Sequence, residues 1–160
     1  MKILLWTKHP GDLIGEAIEF FTHGPVEHAA FLRANGMIHE AYWPRVRDRK
    51  PVAEELHLVK CFSLRGITAD EESGFEAAFD FALIHTVKYD LTDLLRVLFN
   101  KPDTDEKHTF CSRYVMHTIM TVCPPEIWPL VRCMDGDWVS PRDLFISPNL
   151  LPAEPLKLIA

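Results

Sequence analysis

A cysteine, a histidine and a carboxylate lie in this chain where regular secondary structure would hold them still. Cys111 opens the run CSRYVMHTIMTV, in which Cys111, Val115, Ile119 and Val122 recur at helical spacing, with Thr109 placed to cap the helix. A thiol in a first helical turn sits beside N–H groups that the helix leaves unpaired, at the positive end of its dipole. Thiol pKa falls in such places from about 8.5 toward roughly 3.5 to 7.5, most of all beside an imidazolium. The same N–H groups can stabilise an oxyanion when the sulfur attacks a carbonyl. The chemistry such a cysteine offers is nucleophilic, and it needs a base.

The candidate base is His28, in Val26 to Trp43, VEHAAFLRANGMIHEAYW, which reads as a β-hairpin turning at Asn35-Gly36. A two-residue loop pairs Ala34 with Met37 and sets His28 on the face of His39. A three-residue loop, Ala34 to Gly36, pairs Arg33 with Met37 and places His28, Ala30, Ile38, Glu40 and Tyr42 on one face. The hairpin permits both, so either Glu40 or His39 could accept a hydrogen bond from His28 and fix its tautomer. Taken singly, each residue has a plainer role of greater weight: Cys111 as a small buried hydrophobe, His28 as a satisfied sheet residue, Glu40 on a solvated face. Tyr42, Trp43, Trp128 and Trp138 could wall a pocket, although core packing suits at least half of them.

The elements that would position these residues follow in order. Ile3 to Thr7 is a strand, and Asp12 caps a helix carrying Leu13, Ala17, Phe20 and Phe21 that closes near Gly24-Pro25. Pro44 to Glu55, with Arg45, Arg47, Arg49 and Lys50 among its prolines, reads as a solvated loop rather than a phosphate site. Leu56 to Leu64 is a strand interrupted at Lys60. Thr68 and Glu71 form a capping box before an amphipathic helix bearing Phe75, Ala78, Phe79, Ala82 and Leu83. A shorter helix spans Leu91 to Phe99, and Asn100 to His108 is a polar, mobile loop. Pro124-Pro125 stops the cysteine helix, and Ser140-Pro141 starts another.

Composition sets outer limits. With 160 residues, 48% apolar and 25% charged, the chain fits one globular domain. A net charge of −6 disfavours nucleic acid as a partner. No apolar run approaches a membrane span or a secretory segment, which makes the cytoplasm the expected location. Cys61, Cys111, Cys123 and Cys133 lack paired spacing and read as thiols, three of them buried. A zinc site on Cys111, His28 and a carboxylate lacks a fourth ligand at recognisable spacing, so no metal or cofactor is expected. His108, on a loop, is a poorer base, and His117 points to another side of the helix than Cys111.

Jointly, the motifs resemble a family. ILLWT, AIEFFTHGPVEHAAFL, MIHEAYW, KYDLTDLL, FCSRYV and SPRDLFISPNL are similar to the YiiX-like group of circularly permuted papain-like proteins, related to NlpC-type peptidases and lecithin:retinol acyltransferases. Only the histidine, Glu-Ala and Cys-Ser elements are motif-like; Glu27 stands where many relatives have serine, and Arg113 where glutamate is frequent. The resemblance implies an α+β fold, a small mostly antiparallel sheet packed against helices as one permuted papain-like domain over residues 1–160. It implies a catalytic triad of Cys111, His28 and Glu40, and so selects the three-residue loop, with the His28 and Glu40 face looking at Cys111. The implied activity is a cysteine hydrolase (a thiol protease or thioesterase) or an acyltransferase, with a peptide or lipid amide, ester or thioester as substrate; Tyr42 and Trp43, read from the residues as pocket walls, are the expected substrate contacts. The alternative is a binding or structural protein that keeps the fold without turnover.

Overall fold

A computed structural model of the chain describes residues 1–7, 25–89, 108–129 and 139–157. The elements are β1 (Lys2–Trp6), β2 (His28–Leu32), β3 (Ile38–Tyr42), β4 (Arg45–Arg49), β5 (Val59–Leu64), α1 (Ala69–Ile84), β6 (Lys88–Tyr89), β7 (His108–Thr109), α2 (Cys111–Val122), α3 (Pro141–Phe145) and β8 (Leu150–Pro152). The eight strands form one sheet in the order β7-β6-β4-β3-β2-β1-β5-β8. Every pairing is antiparallel except β6 with β7, which makes the architecture α+β.

Alternation along the central strands splits their side chains between two faces, and both are apolar. Ile3, Leu5, Ala29, Phe31 and Phe62 pack against Phe75 and Phe79 of α1 and Tyr114, Val115 and Ile119 of α2. Leu4, Trp6, Ala30, Ile38, Val59 and Cys61 lie on the other face under Leu156 and Ala153 of the C-terminal segment. Phe31 meets Phe79 at 5.0 Å and Phe75 at 5.6 Å between ring centroids, which locks α1 to the sheet's centre. Gly74 lets α1 approach α2, since a Cβ there would lie 3.0 Å from Val122 Cγ1.

The expected capping box and the expected Ser140-Pro141 helix start both form, and Asp143 makes the latter a second box. Thr68 and Glu71 start α1, and Ser140 and Asp143 start α3 with Pro141 in its first turn.

Three expectations are corrected. Pro44 to Glu55 is not a loop: it holds β4 and a 3-10 turn, Ala53–Glu55. Its arginines look solvated in sequence, but Arg47 and Arg49 pair with buried Glu40 and Glu55. Lys60 does not interrupt β5, because its ammonium lies 4.8 Å from the Phe145 ring and the strand runs on, beginning at Val59 instead of Leu56. Thr109 does not cap α2; it is drawn into β7 opposite Tyr89, and Phe110 is the N-cap. The helices expected from Asp12 and over Leu91 to Phe99, residues 100–107 of the expected loop, Cys133 and Trp138 lie outside the described residues.

Candidate active site

The hairpin turn decides which residues meet. Arg33 N donates to Met37 O at 2.9 Å, and Gly36 N to Arg33 O at 3.0 Å. Gly36 sits at φ 79°, the left-handed position that a three-residue loop requires and glycine tolerates. The register is Phe31↔His39 and Leu32↔Ile38, so Glu40 lies on the side of Ala30 and His28, and His39 on the side of Phe31.

His28 Nε2 lies 3.2 Å from Glu40 Oε2, both side chains buried. Cys111, the first residue of α2, lies near enough to the same imidazole to act on its charge. With Nε2 engaged by Glu40, Nδ1 is the ring nitrogen left for the sulfur. The body of α2 packs on the Phe31 side, opposite Glu40 and Trp6. His28 is the first residue of β2, and the β2–β3 ladder pairs only Phe31 with His39 and Leu32 with Ile38, beside the turn.

Electrostatics favour a charged imidazole. Burial by itself lowers the His28 pKa, but the hydrogen bond and charge of Cys111, followed by those of Glu40, raise it from 6.5 to about 10. For Glu40 burial acts upward, and the hydrogen bond and charge of His28, then Arg49, hold the carboxyl far below the usual carboxylate range. Arg47 donates to Glu40 Oε1 from Nε at 3.0 Å and Nη2 at 2.8 Å, and Arg49 from Nε at 2.8 Å. Arg49 also forks onto Glu55 with two bonds of 2.7 Å. Trp6 packs on His28 at 5.2 Å between ring centroids and Tyr42 meets its edge at 5.9 Å, while the Arg47 guanidinium stands 4.4 Å over the Tyr42 ring. Sequence reading missed Arg47, Arg49 and Glu55. The available signal was the two-residue period of Arg45, Arg47 and Arg49, which is that of a strand.

The cysteine helix is tied down on both sides of its first turn. Ser112 Oγ donates to Val139 O at 2.6 Å, and Tyr114 OH lies 2.7 Å from His39 Nε2. Cys111, Cys61 and Cys123 are all free and buried. Burial presses the Cys61 thiol up and takes Cys123 to about 12. Of the proposed substrate contacts, Tyr42 abuts His28, whereas Trp43 is 63% exposed. Trp128 is half-buried and donates from Nε1 to Cys123 O. His108 lies in β7 opposite Lys88, and His117 lines a separate cavity between α1 and α2 with Phe81 and Val87. Among the described residues, no three His, Cys, Asp or Glu side chains are grouped to hold a metal ion, and no helix is long and apolar enough to cross a membrane. No family model and no curated protein matches the chain.

Proposed function

We propose that the chain is a cysteine hydrolase or acyltransferase with a circularly permuted papain-like fold, acting on an amide, ester or thioester through Cys111, His28 and Glu40. One observation carries the reading: a single imidazole stands between a helix-opening thiol and a buried carboxylate that the imidazole and Arg49 hold ionised. Two guanidinium groups, Arg47 and Arg49, face two carboxylates, Glu40 and Glu55, beside the imidazole.

The thiolate attacks the carbonyl carbon, and the first-turn N–H groups of α2 receive the oxyanion. The His28 imidazolium gives its proton to the leaving nitrogen, oxygen or sulfur, and a thioester to Cys111 remains. Neutral His28 then takes a proton from water or another acceptor, which attacks the thioester. Expulsion of the thiolate restores the ion pair. Glu40 keeps the imidazole's far nitrogen occupied, so that Nδ1 faces the sulfur throughout.

One fact favours the alternative, a protein that retains the arrangement without turnover: Cys111 is 0% exposed, less than Cys61 at 6% or Cys123 at 5%. The two readings rank the thiols in opposite order. If exposure governs, Cys111 is alkylated slowest; if the His28 ion pair governs, it is fastest. We expect iodoacetamide at pH 6 to label Cys111 first, as mapped by peptide mass spectrometry, and His28→Ala to abolish that preference. Equal labelling of Cys61, Cys111 and Cys123 in the folded protein would overturn the catalytic reading.

A further inference from the structure

Glu55 lies in the 3-10 turn after β4, outside the three residues of the proposed mechanism, and is 3% exposed. A buried carboxylate is costly unless each oxygen is matched, and here both are. Oε1 accepts from Arg49 Nη1 at 2.7 Å and from Val52 N at 2.8 Å. Oε2 accepts from Arg49 Nη2 at 2.7 Å and from Trp6 Nε1 at 3.2 Å. Each of its two side-chain partners then touches a different side of the same imidazole system. Arg49 Nε donates to Glu40 Oε1 at 2.8 Å, and Glu40 Oε2 meets His28 Nε2. Trp6 lies against the His28 ring, and the Arg49 guanidinium stands 5.8 Å from the Trp6 ring centroid. Glu55 is thus joined to His28 by two routes, one through charge and one through packing.

We propose that Glu55 is a positioning residue for His28: through Arg49 it aims the Glu40 carboxylate, and through Trp6 it sets the wall against which the imidazole rests. The inference rests on His28 being the working base. A 3-10 turn remote in sequence from His28, Glu40 and Cys111 thereby governs the orientation and charge of the site. A carboxylate that merely filled a buried hole would contribute to stability and leave the imidazole unchanged.

The test is the titration midpoint of His28, followed by NMR on histidine-labelled protein, in the wild type and in Glu55→Gln. The substitution removes a negative charge from the cluster and leaves Arg49 to withdraw more of the Glu40 charge, and both effects disfavour the imidazolium. The expected result is a downward shift of about one unit, a tenfold change in the protonation equilibrium. Loss of the nuclear Overhauser contacts between the Trp6 indole and the His28 ring should accompany it. A midpoint within about half a unit of wild type, with only the melting temperature lowered, would show a purely structural role and overturn the inference. Glu55→Asp keeps the charge but sets it back, so it should move His28 less, in the same direction. It carries the test if Glu55→Gln does not fold. Glu76→Gln, which removes a partner of Arg33 beneath α1, should leave the His28 midpoint in place. These outcomes are separate from failure of the catalytic reading, because thiols that label equally would overturn that reading and still leave His28 to be titrated.

Discussion

Two buried histidine–carboxylate pairs stand back to back in this sheet, and they differ in what the second ring nitrogen meets. His28 engages Glu40 and Cys111; His39 engages Asp48 Oδ1 through Nδ1 at 2.6 Å and Tyr114 OH through Nε2 at 2.7 Å. Burial drives the His39 pKa down, and Arg33 adds to that against the upward pull of Asp48. A neutral His39 satisfies both partners at once, donating to Asp48 and accepting from the Tyr114 hydroxyl. Tyr114 cannot supply a compensating anion, since burial pushes its phenol well above the ordinary range. A buried histidine with a carboxylate on one side is therefore driven toward the neutral or the charged form by the rest of its surroundings.

The comparison can be broken most directly by treating the two carboxylates alike. Glu40→Gln should slow Cys111 alkylation at pH 6 by about 100-fold or more, toward the rates of Cys61 and Cys123, because the amide no longer stabilises an imidazolium. Asp48→Asn should leave that rate unchanged. If both substitutions slow it equally, the two pairs are not functionally distinct.

Stability should respond in the reverse order of specificity. Asp48→Asn strips both His39 and Arg33 of a charged partner at 2.6 and 2.8 Å, and should destabilise the fold by about 3 kcal/mol in urea melts. Unchanged stability would mean that Glu76 and Asp80, which also hold Arg33, suffice without it.

The two histidines should also shape opposite limbs of the stability profile. His28 has a folded pKa above its unfolded 6.5, so its contribution is complete below pH 6.5 and is lost as pH rises through about 10. His39 has a folded pKa below 6.5, so its contribution is complete above pH 6.5 and is lost as pH falls through the folded value. Urea midpoints across pH should show His28→Ala flattening the alkaline limb and His39→Gln flattening the acid limb; exchanged effects would refute the assignment of charge states. The smallest expected effect is that of Tyr114→Phe, which removes one hydroxyl from His39 and should cost about 1–2 kcal/mol with Cys111 labelling intact.

Much of the local structure was legible because its causes are local. A threonine three residues before Glu71, a serine before Pro141, and glycine after Asn35 state their own backbone conformations within one turn of chain. The helix opening at Cys111 was legible from its apolar spacing, although its cap was not, since the β7 bridge that claims Thr109 is made with a distant strand. The arginines of β4 were misread for the same reason. Charge in a sequence signals solvent until the opposing charge is located, and Glu40 and Glu55 become partners only once β3 and β4 pair and the 3-10 turn folds back.

The sequence alone determined the residue types, the helix that presents the thiol, and a hairpin with two admissible registers. Tertiary structure decided which register holds, that Glu40 and not His39 stands beside His28, and that the first residue of α2 comes near that imidazole. The physical reason is range. Propensity and capping act over a few residues, whereas an imidazole's charge is set by whichever ionisable groups packing brings within hydrogen-bond reach.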